Sequence, residues 1–370
     1  MQPTGDTKHM PRLDSLRGVA ALMVAGYHAL ASNGSNSTEQ SIAALLGYFF
    51  DGRIGVSIFF VLSGLVLGMS LRRAGALTSK GYAHFCVRRF FRLYPAYLVS
   101  SLFYLALYFL VTTRLQHGEP IGAGYSHYDS EARLTTAQLL ENFLFLHQAL
   151  NHATWTLKVE VIAAILLPFL HQYSRCMRWK GQVVLLLALT GLAFLPSSQP
   201  TRMCLFLFYG GYLIPPFVDR MRMLQLQKGR LPVLFFLVAV FAFTVSHICP
   251  LSDEGRRWGT FFAGSGSVLI LCLILIDSPH QVFKVLDHAA LRHLGAVSYS
   301  FYLLNLFCLD IVLRCFSLMP LTRPLALNPT LMSSTIIFAC ATLLCVGLST
   351  LSYRWIERPA IKLGAHFYRP

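Results

Sequence analysis

The stretch Arg53-Ile54-Gly55-Val56-Ser57-Ile58-Phe59-Phe60-Val61-Leu62-Ser63-Gly64-Leu65-Val66-Leu67-Gly68-Met69-Ser70-Leu71 decides the fold. Arg53 is its only charged residue. As a helix it would rise about 28 Å, close to the ~30 Å hydrocarbon core of a bilayer. Lipid cannot hydrogen-bond a bare backbone, so a run of this length and polarity is expected to cross as an α-helix.

Comparable runs recur along all 370 residues. Hydropathy places spans near 13–32, 53–71, 93–112, 154–172, 182–196, 201–218, 231–249, 258–276, 294–316 and 331–353. The expected fold is therefore all-α: a polytopic integral membrane protein with about ten transmembrane helices. Hydrophobic residues make up 55% of the chain and charged residues 13%, about half the charged share of a soluble domain. Pro196 and Pro200 bracket a tight turn between the fifth and sixth spans. Residues 113–153 form the longest polar connection, long enough for a re-entrant or amphipathic cap and too short for a domain. No internal repeat or low-complexity tract appears, so residues 1–370 read as one transmembrane domain.

The net charge of +15 could suggest a nucleic-acid partner, but no basic tail or stripe accompanies it. The basic residues instead follow the membrane. With a cytoplasmic N-terminus, the inner segments collect 22 of the 31 Lys and Arg. Ten spans then put both termini in the cytoplasm. Polar residues 1–12 followed by an apolar run without a small-residue cleavage site do not make a signal peptide. The nine cysteines show no zinc spacing, most of them lying inside apolar runs, and no metal is expected.

Ionisable groups inside spans are costly and usually face a cavity or a partner. In the first span Arg17 and His28 are eleven helical steps apart, about three turns plus 20°, so they share a face roughly 16 Å apart along the axis. Glu160 enters the fourth span from the opposite side at about the depth of His28. This depth match predicts a His28–Glu160 pair, in which the carboxylate orients the imidazole for general-base work. Lys158 is a poor partner for Glu160, because positions two apart do not face each other on a helix. Asp310 and Arg314, four apart, are expected to pair structurally. His247 sits near an outer helix end, where water would meet it. Arg88, Arg89 and Arg92 precede the third apolar run. Arg89 and Arg92 share a face suited to phosphate, although anchoring at the positive side would explain them as well.

These residues stand in a longer pattern: Leu13-Asp14-Ser15-Leu16-Arg17-Gly18, Phe59-Phe60-Val61-Leu62-Ser63-Gly64, Arg88-Arg89-Phe90-Phe91-Arg92-Leu93-Tyr94-Pro95, Trp155-Thr156-Leu157-Lys158-Val159-Glu160, Ser298-Tyr299-Ser300-Phe301-Tyr302-Leu303-Leu304 and Arg354-Trp355-Ile356-Glu357-Arg358-Pro359. In that order the pattern resembles the acyltransferase-3 family of membrane O-acyltransferases, which includes O-antigen and nodulation-factor acetylases. The resemblance implies a multi-pass protein of the bacterial inner membrane and a cytoplasmic acyl-CoA donor, most often acetyl-CoA, with Arg17, Arg89, Arg92 and Ser63 at the donor. It implies His28 and Glu160 as catalytic residues, His28 deprotonating an acceptor hydroxyl or itself taking the acetyl group. Trp155, Tyr299 and Asn305 would meet a carbohydrate or glycolipid acceptor on the periplasmic side. Asn305 departs from the pattern, because the family often carries His there, and Asn cannot take a proton. A sugar or metabolite exporter is the alternative from another class. It would show matching repeats and broken helices between halves.

Overall fold

The computed structural model describes residues 10–30, 45–75, 78–114, 134–146, 148, 150–196, 200–226, 229–276, 281–327 and 330–366. Among these residues the fold is all helical, with no strand. In chain order the helices are α1 (Pro11–Leu30), α2 (Gly52–Ala74), α3 (Ser79–Arg114), α4 (Thr136–Phe143), α5 (Trp155–Arg175), α6 (Trp179–Phe194) and α7 (Pro200–Met223). They continue as α8 (Leu231–Ile248), α9 (Asp253–Leu275), α10 (Ala289–Ala296), α11 (Ser298–Leu318), α12 (Arg323–Leu327), α13 (Leu331–Ser352) and α14 (Arg358–His366).

Each expected span falls on a helix, and seven helical stretches are long and apolar enough to cross a membrane. The protein is a multi-pass membrane protein. Three of the ten expected spans lie outside those seven. α6 has only 16 residues. Asp14, Arg17 and His28 dilute the apolar character of α1, and Arg202, three prolines and two glycines do the same in α7. Both helices nevertheless contribute many side chains to the core, including Ala20, Leu207 and Phe208.

Several boundaries differ from the hydropathy reading. The third span is the second half of a 36-residue helix, so the arginine cluster lies on the helix itself, one turn before Pro95. The span expected at 294–316 is interrupted: α10 ends at Ala296 and α11 starts at Ser298, with Val297 between. The last helix passes through a π-turn over Tyr353–Glu357 into α14. Of the long polar connection, residues 115–133 lie outside the described residues. Its described part carries the short α4, closed by a Thr135–Gln138 capping box.

α2 is the central helix. Its N-terminus is capped by Asp51, whose Oδ1 accepts from the N–H groups of Arg53 and Ile54. Along α7 it makes a backbone-to-backbone crossing that only glycine permits. A Cβ on Gly64 would strike the Phe208 carbonyl oxygen, and one on Gly211 the Val61 carbonyl oxygen. Gly64→Ala should therefore force the helices apart and destabilise the fold by about 1–3 kcal/mol. Gly191→Ala meets open space and is the matched control. Thermal unfolding in detergent should show a lowered midpoint for the first variant alone.

α1 is fixed at its start by a fork from Arg12 to Asp287, with Nε–Oδ1 and Nη2–Oδ2 both at 2.8 Å. The Arg12 guanidinium holds the Asp287 carboxyl below its ordinary range. The Asp310–Arg314 pair forms as expected, Arg314 Nε donating to Asp310 Oδ2 at 2.8 Å.

Candidate active site

Two chambers lie back to back inside the bundle. The first, of about 360 Å³, is walled by α2, α3, α5 and α11 and receives Arg17 from α1. The second, of about 690 Å³, collects His28, Asp51, Trp155 and His247. Val56, Phe60 and Tyr302 line both. Tyr302 is held in this shared wall by two hydrogen bonds at 2.9 Å, donating to the Ala153 carbonyl and meeting Thr156 Oγ1.

The first chamber is basic. Arg17, Ser63, Arg89, Arg92, Glu160 and Tyr299 all line it, which unites the four expected donor residues. Arg89 and Glu160 form a direct ion pair, and Ser63 bridges them: its Oγ accepts from Arg89 at 3.1 Å and donates to Glu160 Oε1 at 3.1 Å. Arg89 Nε is buried without a hydrogen-bond partner among the described residues, and Arg92 makes no hydrogen bond among them. A buried guanidinium N–H without a partner is costly, and an anionic ligand in the chamber would satisfy it. Tyr299 donates to the Leu93 carbonyl at 2.7 Å and thereby joins α11 to the arginine-bearing stretch of α3.

The π-turn supplies a residue that span-by-span reading passed over. Glu357 is 3% exposed, accepts from Ser300 Oγ at 3.1 Å, and lies within electrostatic reach of Arg92 and Arg17. Each of the three arginines thus has a carboxylate nearby: Glu160 for Arg89, Glu357 for Arg92 and Asp14 for Arg17, the last at 3.6 Å. The signal was present in the Arg354–Pro359 motif, but hydropathy alone reads that motif as a helix end.

His28 stands in the second chamber, and the expected His28–Glu160 hydrogen bond is not made. Depth along a helix axis says nothing about azimuth, and Glu160 turns toward the arginine side of the wall. His28 Nδ1 meets Asn305 Oδ1 at 2.9 Å. The Asn305 amide nitrogen donates to the Tyr302 carbonyl, which can only accept. This fixes the amide orientation, so Nδ1 of a neutral His28 carries the proton and Nε2 carries the lone pair. Asn305 thus does the orienting that a carboxylate was expected to do, without supplying charge. Trp155 lines the His28 chamber and packs edge-on to Phe60, whereas Tyr299 lines the basic one. His247, expected to meet water, is 30% exposed at its side chain and also bonds Asp51 Oδ2 through Nδ1 at 2.9 Å.

A family model described as an acyltransferase domain matches residues 10–354. The chain belongs to the acyltransferase-3 family. Curated relatives agree. Acyltransferase MdmB of Streptomyces mycarofaciens is 40% identical over 93 residues, 25% of this chain and 22% of its own length. Peptidoglycan O-acetyltransferase OatA of Listeria monocytogenes is 25% identical over 96% of this chain and 56% of its own length. An O-acetyl transferase of Shigella phage Sf6 is 26% identical over 52% of this chain and 55% of its own length. The chain therefore spans little more than half the length of these acyltransferase-3 relatives at most. No solved structure matches.

Proposed function

We propose that this protein is a membrane O-acetyltransferase that moves an acetyl group from cytoplasmic acetyl-CoA to a hydroxyl of a carbohydrate or glycoconjugate, across the bacterial inner membrane. The observation that carries this reading is the pair of chambers sharing Val56, Phe60 and Tyr302, with guanidinium groups on one side and an oriented imidazole on the other. The phosphates of CoA suit Arg92, Arg89 and Arg17, because guanidinium N–H pairs match phosphate oxygens. A thioester at the end of the pantetheine arm would reach the wall that Val56, Phe60 and Tyr302 share with the His28 chamber. The acceptor hydroxyl would enter the larger chamber beside Trp155. The excess of Lys and Arg in alternate connections supports a cytoplasmic donor side and cytoplasmic termini. O-acetyl transfer is also what the names of the Listeria and phage relatives describe for those proteins, to peptidoglycan in the Listeria case.

The test is turnover of labelled acetyl-CoA by the purified full chain in nanodiscs, read as free CoA released. Turnover is expected, with Arg92→Ala raising the KM for acetyl-CoA by about 10- to 150-fold, the range for one charged hydrogen bond of 1.5–3 kcal/mol. An exporter would release no CoA. A chain that binds and transports sugar while leaving acetyl-CoA intact would overturn the assignment.

A further inference from the structure

The larger chamber holds a second imidazole, and its surroundings differ from those of His28. His247, at the end of α8, meets a carboxylate across the chamber mouth, and the two oxygens of Asp51 do separate work. Oδ1 caps α2 by accepting from the backbone N–H groups of Arg53 and Ile54, and Oδ2 takes His247 Nδ1 at 2.9 Å. Tyr48 packs edge-on to the His247 ring, with centroids 5.3 Å apart, and bonds Thr244 one turn earlier on α8. His247 Nε2 has no partner among the described residues. The residues flanking Asp51 pack on those just before His28, Phe50 on Gly26 and Gly52 on the Tyr27 ring, and Asp51, His28 and His247 line the same chamber. Arg53 and Arg256 are the other charged groups that line the chamber.

Transfer to a hydroxyl requires one proton to be removed, yet the chamber presents two rings, each of which in its neutral form has its lone pair on Nε2. A ring that serves as base ends its step as an imidazolium, which a carboxylate stabilises and an amide does not. A ring that serves as nucleophile takes no transferred proton; its Nε2-acyl imidazolium is the species the acceptor attacks, and a neutral amide partner at Nδ1 leaves it electrophilic where a carboxylate would quench it. We infer that His247, backed by Asp51, is the acceptor-side general base, and that His28, held by the neutral Asn305, is the acyl-carrying nucleophile. This inference rests on the acetyl-CoA reading above. In the first half-reaction His28 Nε2 forms a bond to the thioester carbon, the C–S bond breaks, and CoA leaves as thiolate. In the second, the acceptor oxygen bonds to the acetyl carbon and its proton passes to His247 Nε2. The N–C bond then breaks, with its electron pair returning to His28. The proton on His247 balances the thiolate through solvent.

The test uses the full chain in nanodiscs with labelled acetyl-CoA, and water as the acceptor. Two variants address the dyad. His247→Gln keeps a donor for Asp51 but cannot take a proton. Asp51→Asn keeps the helix cap but removes the carboxylate. Both should release about one equivalent of CoA, retain label on the protein, and then turn over at least 100-fold more slowly than wild type. The label should vanish when His28→Ala is added. Wild-type turnover in either variant, or loss of the CoA burst together with turnover, would overturn the inference. A wild-type chain that releases no CoA would sink the acetyl-CoA reading instead.

Discussion

His28→Ala should lower acetyl-CoA turnover by about 10²–10⁴-fold, the usual worth of a positioned acid–base or nucleophilic side chain. The expectation comes from the ring's fixed tautomer. Asn305 donates to the Tyr302 carbonyl, so its oxygen must face His28, and the lone pair is placed on Nε2. Two comparisons separate chemistry from packing. Asn305→Leu removes one hydrogen bond and should cost about 2- to 13-fold in kcat, the equivalent of 0.5–1.5 kcal/mol, with little change in acetyl-CoA affinity. His28→Ala should leave donor affinity equally intact, because the guanidinium groups proposed to hold the donor line the other chamber. Donor affinity that fell together with kcat in His28→Ala would mean that the two chambers act as one site and that the division at Tyr302 is not functional.

Much of this architecture was legible in the sequence. Lipid forces long apolar runs into helices, and among the described residues each of the ten runs falls on helix, one of them broken at Val297. The arginine pair was also legible, because residues three apart on a helix face one way whatever the helix packs against; Arg89 and Arg92 do line one chamber. Pairing between helices was not. The depths of His28 and Glu160 agree to within the error of the span boundaries, but azimuth is set by packing, and packing turned Glu160 to Arg89. Asp51 and His247 are 196 residues apart, one before its span and one at the end of another, and hydropathy is blind to such a contact. Only the placement of Asp51 as an N-cap just before Gly52 could have drawn attention to it. The π-turn was hidden for a related reason: one extra residue in a turn leaves composition unchanged but moves Glu357 inward toward Arg92.

Arg89→Ala should have two separable effects, because Arg89 belongs both to the basic chamber, the proposed donor site, and to a buried ion pair. Arg89 and Glu160 are 14% and 22% exposed at the side chain, so the variant leaves a carboxylate that neither water nor a cation fully compensates. Breaking a buried pair by removing one partner costs about 3–5 kcal/mol. Ser63 would then still donate to Glu160, but a hydroxyl offsets only part of a lost charge. Thermal unfolding in detergent should show a marked fall in the midpoint for Arg89→Ala. Replacing both members by apolar residues of similar volume, Arg89→Met with Glu160→Leu, removes the stranded charge and should restore the midpoint to near wild type. Donor binding should not return, since the double variant still lacks the guanidinium proposed to meet phosphate. A double variant that stays as unstable as Arg89→Ala would show that the pair is needed for the fold itself. Recovery of both stability and acetyl-CoA affinity would remove Arg89 from the donor site and leave Arg92 and Arg17 to hold the phosphates.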